Sequence, residues 1–314
     1  MNNDRITGTI VPLPTPFADD ESFDITAMRS IIDYLINAGC DSIMPTALTG
    51  EALMLTEEET LLVWDAVFES AAGRLPIIPA IISTTTRRAI RLARAAAKQG
   101  SVALMAAPVL TELYTRRPQD EVYAFFSEIA MCCGLPIILF NYPGVTGLDL
   151  TPGILERLAE IDSVQYIKES TGDSKRVYAI QRLLGERIRV ICGAPNVALE
   201  SFALGCNAWI TGIMSIAPRS ARQLLQAVHR LGDLELARRI YYNQLLPLVD
   251  IMIGNCNPVG TIKEGLNARG INIGLPRRPG SGVSAVDKKR IHDLVNAIAF
   301  AEKLVSNNIE AAAV

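Results

Sequence analysis

The chain has 314 residues, of which 49% are hydrophobic and 20% are charged, and its formal net charge is −3. Its 30 basic residues are balanced by 33 acidic ones, so the strongly basic surface that a nucleic-acid partner requires is not expected. This apolar content can offset the loss of chain entropy on folding, which excludes a disordered chain. The composition is that of a globular protein.

The six cysteines and two histidines form no metal-binding motif. No C-x-x-C spacing occurs, and both histidines lie far from every cysteine in the sequence, so a structural zinc site is not expected. The apolar runs are too short to cross a bilayer, and the first residues do not form a signal peptide. We therefore expect reduced thiols, no membrane partner and a cytoplasmic location.

Short apolar runs typical of buried strands alternate along the chain with segments of helical spacing. The predicted strands lie at about 6–14, 41–46, 76–83, 102–107, 136–141, 164–168, 187–192 and 207–212. Helical spacing is clearest at 25–38, 56–72 and 86–99. Gly39, Gly73 and Gly100 stand where helices commonly end.

Eight such strand–helix units predict a parallel sheet that closes into a (β/α)8 TIM barrel. A doubly wound sheet is the competing fold, but its usual G-x-G-x-x-G or G-x-x-x-x-G-K-[ST] fingerprint does not occur here. Four further helical segments follow residue 213, at 219–231, 234–253, 258–268 and 286–305. We predict a barrel over residues 1–214 and a C-terminal helical extension over 215–314 that packs on it.

Catalytic groups of such barrels lie where strands end at the carboxyl face, and Lys168 ends the sixth predicted strand. Desolvation there would lower the pKa of its amine, and a neutral amine can attack a ketone to form a Schiff base. Two other roles remain open: a structural ion pair with Glu169 or Glu51, or the binding of a phosphate.

The loop after strand 2, Leu48-Thr49-Gly50-Glu51, offers a hydroxyl and approachable backbone amides for a carboxylate or phosphate. The alternative is an ordinary turn into the next helix, with Thr56 as its N-cap and Glu59 completing a capping box. For Asn141, at the end of strand 5, we expect a bracing role.

These strand ends together resemble the dihydrodipicolinate synthase/N-acetylneuraminate lyase family of class I, Schiff-base aldolases. The motifs are T-G-E after strand 2, N-x-P-x-x-T-G after strand 5, I-K-E-x-T-G at strand 6 and Pro14-Thr15-Pro16-Phe17 near the start. The resemblance extends from about Ile6 to Pro279, and it implies a TIM barrel.

The resemblance also implies roles for individual residues. Lys168 would condense with the keto carbon of pyruvate or a related 2-oxo acid, and Thr49 with the amide of Gly50 would hold the carboxylate. Gly193, after strand 7, and Ile210, through its carbonyl on strand 8, would line the pocket. No metal or organic cofactor is implied, and the implied assembly is a homo-oligomer, a dimer or a tetramer.

The sequence departs from the family at three linked hydroxyl positions. The family's Y-N-x-P tyrosine, which shuttles protons, is Phe140 here, and the first threonine of T-T-G-E is Leu48. A partner tyrosine after strand 4 falls near Val109–Leu110, ahead of an insertion that reaches Tyr114. Such a relay contributes about 10²–10⁴-fold, so its joint loss indicates changed chemistry.

The second substrate is also expected to differ. Dihydrodipicolinate synthases carry an arginine at the position of Val145, and the strand-5 motif is more similar to that of 2-keto-3-deoxy-sugar-acid aldolases. Arg116 and Arg117 could bind a distal anion, although a solvated surface position is the simpler expectation.

Three functions remain open at this point. The leading hypothesis is a Schiff-base aldolase or dehydratase that acts on a 2-keto-3-deoxy sugar acid or a related 2-oxo acid. The alternatives are a dihydrodipicolinate synthase, which condenses pyruvate with aspartate semialdehyde, and a catalytically silent protein that binds a 2-oxo acid.

Overall fold

The computed structural model describes residues 6–109 and 119–311, and side chains as far as residue 302. Eight strands occur in these ranges. Each lies inside its predicted segment or extends one residue beyond the end of that segment. They are β1 (Gly8–Pro12), β2 (Ser42–Met44), β3 (Ala80–Ser83), β4 (Leu104–Pro108), β5 (Ile137–Asn141), β6 (Val164–Glu169), β7 (Arg189–Cys192) and β8 (Ala208–Ile210).

All eight strands belong to one parallel sheet, in the order β2-β1-β8-β7-β6-β5-β4-β3. The two ends of this sheet meet through a parallel bridge between Ile43 and Ile77. There the Ile78 amide donates to the Ile43 carbonyl at 3.0 Å, which is the distance of a normal hydrogen bond. The nearly closed sheet confirms the predicted (β/α)8 TIM barrel.

Thirteen α-helices accompany the strands within the described residues. They are α1 (Ile25–Asn37), α2 (Glu57–Ala71), α3 (Thr86–Lys98), α4 (Gln119–Cys133), α5 (Pro143–Thr146), α6 (Pro152–Leu158), α7 (Ser174–Leu184), α8 (Ala198–Ala203), α9 (Pro218–Gln226), α10 (Leu234–Ile240), α11 (Leu246–Gly254), α12 (Pro258–Ala268) and α13 (Ala285–Ala311).

The predicted helix boundaries agree with local chemistry. Thr56 caps α2, where its hydroxyl accepts from the Glu59 amide and the Glu59 carboxylate accepts from the Thr56 amide, so the capping box is confirmed. Gly39, Gly73 and Gly100 directly follow the C-cap residues of α1, α2 and α3, with φ of +77°, +74° and +85°. Glycine adopts this left-handed conformation without the steric cost of a Cβ.

The buried apolar residues form two separate clusters, one between the sheet and the helices and one inside the barrel. In β5, Leu139 joins the cluster between sheet and helices, whereas Phe140 joins the cluster inside the barrel. In β6, Tyr166 belongs to the inner cluster and Ile167 to the outer one. Since side chains alternate along a strand, Lys168 points into the barrel at its carboxyl end.

The helices after β8 cover part of the barrel mouth, and their tertiary contacts include those of α12 with the loop 48–50 and of α9 with β1. Two predicted helices contain π-helical segments that the sequence pattern does not predict, at 227–231 and 241–245. The division at residues 214 and 215 stays a prediction. Within the described residues, no helix is both long enough and apolar enough to span a membrane.

Candidate active site

A cavity of about 360 Å³ opens at the carboxyl ends of the strands. Six of the seven residues predicted for the site line it, and Gly50 is the exception. Its lining comprises Pro12, Leu48, Thr49, Phe140, Tyr142, Val145, Lys168, Ser170, Thr171, Gly172, Gly193, Ala194, Pro195, Asn196, Ile210, Thr211, Gly212, Met252, Ile253, Pro258, Val259 and Ile262.

Lys168 is half-buried in the lining of this cavity. Burial lowers the pKa of its amine from 10.5 to about 8. The neighbouring Cys192 cannot act as a counter-ion near neutral pH, because burial raises the pKa of that thiol to about 12. A substantial fraction of the amine is therefore neutral at pH values near 8.

The acidic residues considered as partners of Lys168 have other partners. Glu51 forms an ion pair with Lys263, at 2.9 Å between Nζ and Oε1. The Glu169 carboxylate accepts from the Asn141 side-chain amide (2.8 Å) and from the Thr171 backbone amide (2.8 Å). A structural ion pair therefore does not explain Lys168.

Asn141 has the expected bracing role. Besides its bond to Glu169, its side-chain oxygen accepts from the Leu150 amide at 2.9 Å. Asp149, beside Leu150, forms a bidentate pair with Arg176 at the start of α7. Sequence analysis missed this Asp149–Arg176 pair, which ties the strand-5 loop to the helix that follows β6.

Two of the three positions at which the sequence lacks a hydroxyl that the resemblance implies, Leu48 and Phe140, line the cavity. The Lys168 Nζ lies 4.4 Å from the centroid of the Phe140 ring, a cation–π distance that favours a positive charge on this nitrogen. The Tyr142 ring is 6.1 Å from that of Phe140 and also lines the cavity. Leu48 adds a further apolar side chain.

The loop after β2 presents Thr49 to the cavity and keeps Gly50 behind it. The Gly50 amide donates to the Ala47 carbonyl (2.9 Å), and the Gly50 carbonyl accepts from the Thr15 hydroxyl (2.7 Å). A Cβ on Gly50 would lie 2.8 Å from the Leu13 carbonyl oxygen, so only glycine fits here. The carboxylate-binding role of the Gly50 amide stays a prediction.

Buried charged residues hold the loop after β2 in place through Glu51. Glu51 has φ of +56°, and its carboxylate accepts from the Arg277 backbone amide (2.8 Å) besides pairing with Lys263. The Lys263 amine and the Arg277 guanidinium each lie 4.4 Å from the centroid of the Phe17 ring. The sequence signals for this cluster were Glu51 in the T-G-E motif and Phe17 in the Pro14-Thr15-Pro16-Phe17 motif, and neither indicated Lys263 or Arg277.

Close contacts leave no room for a side chain at Gly193. A Cβ at this position would lie 2.8 Å from the Lys168 Cγ and 2.1 Å from the Ser170 Oγ. The Gly193 amide donates to the Glu169 carbonyl (2.8 Å), which joins the loop after β7 to the end of β6. The Ser170 hydroxyl is buried and has no hydrogen-bond partner among the described residues, so it is available to a ligand.

Ile210 lines the cavity from β8, as predicted. Five lining residues that sequence analysis missed come from α11 and α12, namely Met252, Ile253, Pro258, Val259 and Ile262. Tyr114, Arg116, Arg117 and Leu110 lie outside the described residues.

A barrel mouth with a lysine of lowered pKa and a hydroxyl-bearing loop on the same cavity fits an enzyme of the class I, Schiff-base lyase type. The comparisons with known proteins give the same class for this chain.

Comparisons with known proteins identify the family. The model of the Dihydrodipicolinate synthetase family matches residues 5–298. The chain is 34% identical over 252 residues to the 4-hydroxy-tetrahydrodipicolinate synthase of Pelobacter propionicus, covering 80% of this chain and 85% of that protein. It is 30% identical over 291 residues to the Archaeoglobus fulgidus protein of the same name, covering 93% and 98%. The chain belongs to the Dihydrodipicolinate synthetase family.

Solved structures agree on the fold. The crystal structure of dihydrodipicolinate synthase from Aquifex aeolicus matches with a TM-score of 0.86 and 28% identity, over 93% of this chain and 98% of that one. The sialic acid aldolase of Ruminococcus gnavus matches with a TM-score of 0.88 at 19% identity, over 95% and 99%, which shows a shared fold.

Proposed function

We propose that this enzyme forms a Schiff base between Lys168 and the keto carbon of pyruvate or a larger 2-oxo acid. The observation that carries the proposal is the Lys168 amine, which burial makes partly neutral and which faces the cavity without a carboxylate partner among the described residues. The Thr49 hydroxyl, on the same lining, is the donor proposed for the substrate carboxylate.

The proposed chemistry begins when the neutral amine nitrogen attacks the keto carbon. The nitrogen keeps one of its two protons and passes the other to the keto oxygen, which takes a second proton from solvent and leaves as water, so that a protonated imine remains. Cleavage of the bond between C3 and C4 then sends its electron pair into the imine, which gives an enamine, while the C4 hydroxyl gives its proton to water and becomes an aldehyde. The Phe140 ring face favours the positive charge of the imine.

Borohydride trapping tests the proposal directly. Reduction in the presence of pyruvate should add a stable group to Lys168, located by peptide mass spectrometry, and Lys168→Ala should abolish both this adduct and turnover. Lys175→Ala, at an exposed site on α7, is the matched control and should keep both. Turnover retained by Lys168→Ala would overturn the mechanism.

One other function has an observation in its favour. The names of the relatives favour condensation of pyruvate with aspartate semialdehyde, which product absorbance would reveal.

The proposed setting is the cytoplasm, and the proposed assembly is a homodimer or homotetramer. All six cysteines are free thiols, which agrees with a reducing compartment. The assembly is supported by exposed apolar side chains such as Leu53, Met54 and Leu62.

A further inference from the structure

The charge of the cavity restricts the second part of the substrate. Among the described residues that line it, Lys168 is the only charged side chain. If Lys168 becomes an imine, none of these side chains remains to pair with a second carboxylate, which arginine or lysine normally binds. Val145, on α5, adds an apolar side chain to this lining.

The outer part of the cavity is apolar and open to solvent. Tyr142 is 39% exposed, Val145 is 37% exposed and Ile253 is 52% exposed, and Met252 and Val259 lie beside them in the lining. Apolar side chains gathered at a concave site favour a ligand that removes them from water. Beside these apolar groups, a polyhydroxylated chain would find few hydrogen-bonding partners other than the Tyr142 hydroxyl and the exposed Asn196 amide.

These apolar side chains are held on regular elements. Tyr142 and Val145 lie at α5, Met252 and Ile253 on the last turn of α11, and Val259 on the first turn of α12. An apolar surface built on helices is preformed, so little of the free energy gained by burying a ligand there is lost to ordering the protein.

Two hydroxyl-bearing residues of the lining lie close to Lys168 in the chain, because Ser170 and Thr171 directly follow β6. Asn196, on the loop after β7, is exposed and adds an amide on the solvent side of the cavity. The unpaired Ser170 hydroxyl lies beside the Lys168 side chain, since both approach within 3 Å of the point that a Gly193 Cβ would occupy. This part of the cavity suits the oxygens of the reacting carbons, and not a long polar tail.

We propose that the substrate is a 2-oxo acid whose chain beyond the reacting carbons ends in an apolar group, best an aryl ring. The corresponding aldehyde would be an aryl or branched alkyl aldehyde. This inference rests on the proposed Schiff-base function of Lys168, and it differs from the sugar-acid expectation of the strand-5 motif.

The test compares imine formation by four 2-oxo acids in the complete protein. Pyruvate, 4-phenyl-2-oxobutanoate, 2-oxoglutarate and 2-keto-3-deoxygluconate are each titrated, trapped with borohydride and quantified as adducts of Lys168 by mass spectrometry. The phenyl acid should reach half-saturation at a concentration at least about tenfold lower than 2-oxoglutarate, because its ring buries apolar surface. The half-saturating concentration of the phenyl acid should also be lower than that of the sugar acid.

Two variants that add a cation to the apolar part sharpen the test. Val145→Arg and, independently, Ile253→Arg should reverse the preference between the phenyl acid and 2-oxoglutarate. Val102→Arg, which adds the same charge at an exposed site outside the cavity lining, should leave the preference unchanged.

The outcomes separate the two proposals. If pyruvate and every other acid fail to label Lys168, the Schiff-base function itself is overturned. If pyruvate labels Lys168 but 2-oxoglutarate or the sugar acid is preferred to the phenyl acid, the Schiff base stands and the apolar substrate class is overturned.

Discussion

At the scale of single residues, the protonation of Lys168 controls the reactivity of the proposed site. The neutral amine is the nucleophile, and burial moves the pKa of this amine to about 8. The rate of imine trapping with pyruvate should therefore rise about tenfold per pH unit below pH 8 and level off above it. Initial rates of borohydride-trapped adduct formation between pH 6 and 9.5 measure this. A rate that keeps rising to pH 9.5 would contradict a lowered pKa.

The same burial should cost folding stability. Because the pKa of Lys168 is about 8 in the folded state and near 10.5 when unfolded, the unfolded chain binds more protons between these values, and stability rises with pH across that window. Lys168→Met removes the cost and should stabilise the fold below pH 8 by up to about 3 kcal/mol, a gain that disappears toward pH 10.5. Denaturant unfolding at pH 7 and pH 10 measures it, with exposed Lys175→Met as the control.

Gly193 should tolerate no side chain. Since its Cβ would lie 2.8 Å from the Lys168 Cγ and 2.7 Å from the Glu169 carbonyl oxygen, Gly193→Ala must displace β6 or the loop after β7. We expect pyruvate trapping to fall by at least about 100-fold, in line with the cost of about 1 Å of misplacement at a catalytic group. Gly153→Ala, on α6, adds a methyl group where no atom lies within 4 Å, and it should retain trapping.

At the scale of elements, the loop after β2 depends on charges supplied by the C-terminal helices. Lys263 on α12 and Arg277 both bind Glu51, which directly follows the Thr49 and Gly50 positions. Lys263 is 1% exposed, and burial lowers the pKa of its amine while Glu51 opposes that effect. The pair thus links the extension to the proposed carboxylate site.

Breaking this pair should weaken both the fold and the site. Lys263→Met leaves the buried Glu51 carboxylate without its cation, which typically costs about 3–5 kcal/mol. We also expect a higher half-saturating concentration of pyruvate in trapping, because the loop that carries Thr49 loses its anchor. Lys98→Met, at an exposed site on α3, is the matched control. Unchanged pyruvate half-saturation would show that the ion pair does not position this loop.

The sequence predicted most elements but not the π-helical segments. Strands and capped helices follow from local periodicity and from short-range groups such as Thr56 and Glu59. In contrast, Tyr241 begins the π-helical segment 241–245, and its hydroxyl donates to the Pro195 carbonyl (2.8 Å) beside the cavity. This contact joins positions 46 residues apart, so no local pattern encodes it.

At the scale of the whole molecule, the proposed assembly can be measured. Light scattering should give two or four chains per particle, and Leu53→Glu with Met54→Glu should lower that number, because carboxylates replace exposed apolar side chains. Leu234→Glu, an exposed apolar position on α10, serves as the control. A monomeric wild-type protein would contradict the proposal.

The sequence by itself determined the barrel, the family and the position of Lys168 at a strand end, because hydrophobic periodicity and short motifs are local properties. Only the tertiary structure decided what surrounds that lysine. The Glu51 carboxylate meets the Arg277 amide across 226 positions, and the apolar part of the cavity comes from α5, α11 and α12. Barrel closure brings these distant segments together, and that closure decides which charges are paired and which surface remains for a substrate.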